Sequence, residues 1–163
     1  MKVVIAGSRS IKDYATTRSA IIESGLWAQY GKKIQVVSGE AEGPDKHGEM
    51  FAEKAGLKLH KYPAKWSDLK APGAVVRHNS RGPYNAVAGH TRNQKMADVA
   101  DAALVVIRDE SSRGSMDMVH RMLKLGKPCY LYPLRISADA LASLEDKGCI
   151  IIYPNMLCQK DDS

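Results

Sequence analysis

Short apolar, β-branched runs alternate with stretches of helical periodicity along the chain. Val3 to Ala6 is a continuous apolar run, the pattern of a strand buried on both faces. Arg18 to Tyr30 places Ile22, Leu26 and Tyr30 on one helical face, and Gly31 stops it. Ile34 to Ser38 reads as a second strand. Gly43-Pro44 then opens a helix, since proline suits the first helical turn, and Gly56 closes it. Leu57 to Tyr62 reads as a third strand. From Pro63 to Gly89 the periodicity is lost among prolines and glycines, which predicts a long loop of the kind that carries function or motion. Thr91 reopens a helix, and Gln94 three residues later completes a capping-box pattern. Ala102 to Ile107 is a fourth apolar run, and Ser115 to Leu125 a helix with Met118, Met122 and Leu125 along one stripe. Gly126-Lys127-Pro128 ends that helix. Cys129 to Tyr132, a helix over Ser137 to Glu145, and a strand over Cys149 to Tyr153 follow.

Repeated strand–helix–strand units imply right-handed crossovers. The predicted fold is an α/β, Rossmann-like three-layer sandwich with a mostly parallel sheet of about five or six strands and helices on both faces. One domain over 1–158 is expected, with the long loop 67–89 inserted before a helix over 91–101 and a flexible tail over 159–163. In such sheets ligands bind beyond the carboxyl ends of the strands. That rule gathers four loops around one site: Gly7-Ser8-Arg9, Ser38 to Asp45, the long loop running into Thr91-Arg92-Asn93, and Asp109 to Ser115.

Composition changes this picture little. The 163 residues are 44% hydrophobic and 26% charged, ordinary for a soluble globular chain. No apolar run approaches the ~20 residues of a membrane span. The apolar start, Val3 to Gly7, is too short for a secretory segment, so a cytoplasmic protein is expected. Cys129, Cys149 and Cys158 form no CxxC pair and no metal-ligand spacing with the histidines, so neither metal nor cofactor is expected. The net charge of +6 raises nucleic acid as a partner, yet no long basic tract appears. Arg77, His78, Arg81, His90, Arg92 and Lys95 form a local cluster that suits a phosphorylated small ligand as well as a nucleic-acid surface.

The loops carry the candidate chemistry. Gly7 permits a tight turn, Ser8 offers a hydroxyl, and Arg9 offers a forked cation for phosphate. The absence of GxGxxG there disfavours a dinucleotide fingerprint and hydride transfer. Ser38-Gly39-Glu40-Ala41-Glu42-Gly43-Pro44-Asp45 leads into a helix start, where free N–H groups attract anions. Its acids Glu40 and Glu42 suit a ribose hydroxyl, a cation or acid–base work instead, and Asp45 equally suits the helix dipole. Arg92-Asn93 sits in the first turn of its predicted helix, an unfavourable place for a cation unless an anion binds there. Ser112-Arg113-Gly114-Ser115 supplies hydroxyls, a cation and a glycine before another helix, with Ser115 equally readable as an N-cap. Trp66 is either a packing anchor or a platform for a base. His47, His60 and His120 read as structural or solvent-facing, and only His78 and His90 lie in loops that reach the site.

Read together, Gly7-Ser8-Arg9, Ser38 to Asp45, Ala64-Lys65-Trp66, Ala88-Gly89-His90-Thr91-Arg92-Asn93 and Ser112-Arg113-Gly114-Ser115 resemble the SLOG superfamily. That Rossmann-like group includes DprA/Smf proteins and the LOG nucleotide phosphoribohydrolases, and the pattern is most similar to its YspA-like branch. The resemblance implies a nucleotide or nucleotide-derived ligand, sensed or sequestered, held by Gly7, Ser8, Arg9, Ser38, Gly39, Asp45, Arg92, Asn93, Ser112, Arg113, Gly114 and Ser115. Contacts to the base or from a lid would come from Trp66, Arg77, Arg81, Tyr84 and His90. Partners expected are that small molecule and further copies of the chain, with single-stranded nucleic acid ranked behind them. A LOG-like N-glycosidase is the alternative. Arg92 would correspond to the LOG arginine, with Glu40, Asp45 or Asp117 supporting the oxocarbenium-like centre. At the LOG glutamate position, however, stands Met118, and Asp117 lies one residue, about 100° of helix, away.

Overall fold

The computed structural model describes residues 1–154. Cys158, the end of the predicted domain at 155–158 and the predicted tail 159–163 lie outside the described residues. The chain opens with β1 (Lys2–Gly7), α1 (Tyr14–Glu23) and α2 (Leu26–Tyr30), then β2 (Gln35–Ser38), α3 (Pro44–Ala55) and β3 (Leu59–Lys61). A hairpin of β4 (Val76–Asn79) and β5 (Gly82–Asn85) precedes α4 (Ala88–Val99). β6 (Ala102–Ile107), α5 (Arg113–Lys124), β7 (Cys129–Pro133), α6 (Ala138–Asp146) and β8 (Ile150–Ile151) complete it.

Six strands form one sheet in the order β3-β2-β1-β6-β7-β8, and every pairing in it is parallel. The Rossmann-like α/β sandwich expected from the alternation is present. β6 is central because all six of its residues are apolar and buried. Side chains alternate between two cores. Val4, Val37, Val105 and Leu131 pack under α4 and α5 with Met96, Met118 and Met122. Val3, Ile5, Val36 and Leu104 pack on the other face with Ile21, Leu26 and Phe51. The strand order reverses between β1 and β6, so their carboxyl ends diverge into loops on opposite faces and open a crevice.

Several boundaries differ from expectation. The single helix over Arg18–Tyr30 is two helices, starting at Tyr14 behind an Asp13 cap that accepts from Ala15 N at 3.0 Å. Gly25 breaks it at φ +79°, where Ser24 Oγ accepts from Leu26 N and satisfies the new helix start. The third strand is shorter than Leu57–Tyr62 and the last shorter than Cys149–Tyr153. The loop 67–89 contains the antiparallel hairpin, pairing Arg77 with Tyr84. The last helix of the crevice, α5, begins at Arg113, so Ser115 is a buried first-turn residue and no N-cap. The capping box at Thr91 is absent. α4 begins at Ala88, Thr91 Oγ1 donates to the Val87 carbonyl, and Gln94 Nε2 donates to Asp98.

Candidate functional site

The crevice is a cleft of about 330 Å³, lined by Ala6 to Ser10, Ala41, Asp45, Arg92, Asn93, Ser112 to Ser115 and Met118. Three of the four expected loops and the second turn of α4 meet there. Gly7 makes this convergence sterically feasible. A Cβ on it would stand 2.0 Å from the Val106 carbonyl oxygen and 2.7 Å from Pro44 Cγ, so β1, β6 and the start of α3 close only on a glycine. Ser8 ties the floor together. Its N donates to Val106 O at 3.0 Å, its Oγ accepts from Arg108 N at 2.9 Å, and its hydroxyl meets Ser112 Oγ.

On the α3 side, Gly39 sits against both Asp45 and Arg92. Its N–H donates to Asp45 Oδ2 at 3.1 Å, and Arg92 Nη1 donates to its carbonyl. A Cβ there would lie 2.4 Å from Arg92 Nη1 and 2.8 Å from Asp45 Oδ2. Asp45 is only 4% exposed. Burial raises its carboxyl from 3.8 to about 6, against the opposing pull of Arg92 and of the Ala41, Gly39 and Asp45 N–H groups. For Arg92, burial lowers the pKa, Asp45 raises it, Arg9 lowers it and Asp117 raises it, with a downward net. A guanidinium starts high enough to remain charged. Arg92 therefore stands in the second turn of α4 beside a carboxyl, not at free helix-terminal amides as the sequence suggested.

On the α5 side, Ser112 occupies the N-cap position without a side-chain cap hydrogen bond, and the exposed Arg113 opens the helix at the cleft wall. Arg9, Arg92 and Arg113 line the same cleft as this helix start, whose first-turn N–H groups have no intrahelical acceptor. Asp117 does not line the cleft. It receives Asn93 Nδ2 at 2.9 Å and Arg121 Nε at 2.9 Å, with His90 Nδ1 3.1 Å away. Burial raises its pKa, but hydrogen bonds from Arg121, Asn93 and His90 outweigh this and hold it below the ordinary carboxylate range.

Other sequence candidates lie outside the cleft lining. Ser38 Oγ donates to Glu49 Oε2 at 2.7 Å and accepts from Glu40 N at 3.0 Å. Glu40, at φ +60°, faces Lys61 Nζ at 3.6 Å. Trp66, 40% exposed, packs its ring over Gly89, where a Cβ would come within 3.0 Å of it. Arg77 and Arg81 are exposed on the hairpin with Tyr84 half-buried beside them, and His90 is engaged with Asp117. His47 is buried and hydrogen-bonded to Thr17 Oγ1 at 2.8 Å, a structural role. Sequence reasoning missed Ser10, which lines the cleft, and its partner Arg108 outside the lining, whose Nε donates to Ser10 Oγ at 2.9 Å. The signal was available, since Arg108 follows the β6 run as directly as the Gly7-Ser8-Arg9 turn follows β1. Among the described residues, no group of three or more His, Cys, Asp or Glu is placed to hold a metal. Nor is any helix there long and apolar enough to cross a membrane.

No protein-family model and no curated protein matches this sequence. Solved structures do match. The X-ray structure of DNA processing protein A (DprA) from Streptococcus pneumoniae aligns at a TM-score of 0.65 and 22% identity, over 93% of this chain. The chain has a DprA-like fold. At 22% identity the likeness shows the fold alone. This chain spans 58% of the DprA chain, a little over half its length.

Proposed function

We propose that the cleft binds a nucleotide or nucleotide-derived ligand, with the phosphate on the α5 wall, and that the protein senses or sequesters it. The observation that carries this reading is the convergence of Arg9, Arg92 and Arg113 on one cleft of about 330 Å³ beside the uncapped start of α5. Forked cations and free backbone N–H groups are the two devices that hold phosphate without a metal. Asp45, which also lines the cleft, suits a sugar hydroxyl better than a phosphate oxygen when ionised.

A thermal-shift panel of nucleoside monophosphates, NAD and ADP-ribose tests the reading. A ligand at a hundredfold excess over its Kd stabilises by about 2.7 kcal/mol, which is roughly 5–10 °C for a chain of this size. Loss of that shift in Arg92→Ala supports the cleft, and no shift with any member of the panel refutes the reading. Release of free base from a bound nucleotide, abolished by Arg92→Ala, would replace the binder by the N-glycosidase, with Asp45 as the carboxyl that shares the cleft with Arg92.

A second reading, single-stranded nucleic acid, rests on a separate feature. Between Pro63 and Lys95 there are six Lys or Arg and a single Asp, so five of the chain's six net positive charges fall in this segment. Arg77 and Arg81 of the exposed hairpin have no ion-pair partner among the described residues. The likeness to a protein named for DNA processing adds to this reading. A gel shift of single-stranded DNA that weakens steeply with salt, and more gently in Arg77→Ala/Arg81→Ala, would support it. Binding of mononucleotides with no DNA shift would dismiss it.

A further inference from the structure

Asp117 is not among the residues that line the cleft, yet it belongs to a hydrogen-bond chain that reaches Arg92. Arg92 Nε donates to Asn93 Oδ1 at 3.0 Å. Asn93 Nδ2 in turn donates to Asp117 Oδ2 at 2.9 Å and to the Gly114 carbonyl at 3.2 Å. Both of those partners only accept, so the Asn93 amide has one orientation that satisfies it: NH₂ toward α5, carbonyl oxygen toward Arg92. The reversed amide would set oxygen against oxygen at Asp117 and Gly114, and an NH₂ against the Arg92 guanidinium. Asn93 is 6% exposed, so water does not substitute for a lost partner. Asp117 is itself anchored by Arg121 Nε at 2.9 Å, and Arg121 Nη1 donates to Gln94 Oε1 on α4 at 2.8 Å.

We infer that Asp117 is a positioning residue of the cleft, which fixes the Asn93 amide and through it aims the Arg92 guanidinium at the ligand's anionic group. The inference rests on the proposed binding reading, and it assigns position 117 a role distinct from a catalytic carboxylate. Two anchors hold Arg92, the Gly39 carbonyl on one side and Asn93 on the other. Without Asp117 the second anchor is free to reverse, and the cation loses its aim while the helix contacts around it persist.

The test is a double-mutant cycle read by calorimetric titration with adenosine 5′-monophosphate. In the wild-type background, Asp117→Ala is expected to weaken binding about tenfold, the effect of one misaimed charge-assisted hydrogen bond. In an Arg92→Ala background the same substitution is expected to change affinity less than about twofold, because the residue it serves is gone. Asp117→Asn keeps an acceptor oxygen for Asn93 and is expected to retain affinity within about threefold. Equal losses in both backgrounds would show a structural role and overturn the inference, as would full affinity in a folded Asp117→Ala protein. A wild type that binds no probe fails the binding reading itself and takes the inference with it. The Arg92 Nε–H signal in ¹⁵N spectra of the free protein gives a readout without ligand. It is expected to shift in Asp117→Ala and to hold in Asp117→Asn, and no change in either would count against the chain.

Discussion

Asp45→Asn exchanges a buried carboxyl for its neutral isostere and leaves an oxygen to accept the Gly39 N–H. In the folded protein burial lifts this carboxyl from 3.8 to about 6, so the native state holds the proton more tightly than the unfolded chain does. At about 1.4 kcal/mol for each factor of ten in proton affinity, the difference is worth about 3 kcal/mol. Its sign follows from linkage. The contribution is fully present below about pH 4, where both states are protonated, and it is lost as pH rises through about 6. Above pH 7 the wild type therefore folds around an ionised carboxyl at a disadvantage of about 3 kcal/mol relative to acid. The asparagine variant carries no such term. Urea unfolding of both proteins from pH 3.5 to 7.5 measures it directly. The variant's stability relative to wild type is expected to rise by about 3 kcal/mol across that range, or roughly 6–12 °C in Tm. Parallel pH profiles would refute the reasoning. A wild type that gains on the variant with rising pH would show that Arg92 and the backbone N–H groups overcome burial.

The same geometry yields further outcomes. Gly39→Ala places a methyl 2.4 Å from Arg92 Nη1 and 2.8 Å from Asp45 Oδ2. It is expected to cost about 1–3 kcal/mol in urea unfolding, and to abolish the nucleotide-induced thermal shift. A variant that keeps that shift unchanged would contradict the placement of Arg92. Sulfate, whose charge is constant above pH 3, is expected to bind several-fold more tightly at pH 5.5 than at pH 7.5, because neutral Asp45 no longer repels it. Calorimetry at the two pH values checks this, and a dependence that survives in Asp45→Asn would assign it to another group.

Much of the frame was legible because it rests on short-range patterns. The runs at β1 and β6 are continuous and apolar, which only a doubly covered central strand requires. Their parallel pairing followed from the intervening helices, and the cleft followed from the strand-end rule. The hairpin was illegible for physical reasons. Its strands are four residues long, every residue of β4 is exposed, and no alternation marks them. What secures its base is a tertiary feature, the buried Asn85 side chain accepting from Val75 N and Val87 N. The start of α4 was missed because Ala88-Gly89 carries no capping side chain, and Thr91-x-x-Gln94 imitates a box by chance. Arg9, Arg92, Arg113 and Asp45 line the cleft, whereas Ser38, Glu40 and Asp117 are taken up by neighbours that spacing does not reveal. Trp66, by sequence either an anchor or a base platform, covers Gly89 near the start of α4 with its ring.

Amide chemical-shift mapping of the ¹⁵N-labelled protein during titration with adenosine 5′-monophosphate addresses the site itself. Binding in the cleft predicts saturable shifts at Ser8, Gly39, Arg113, Gly114 and Ser115, all reduced together in Arg92→Ala. Shifts confined to the 76–85 hairpin, or none at the start of α5, would contradict it.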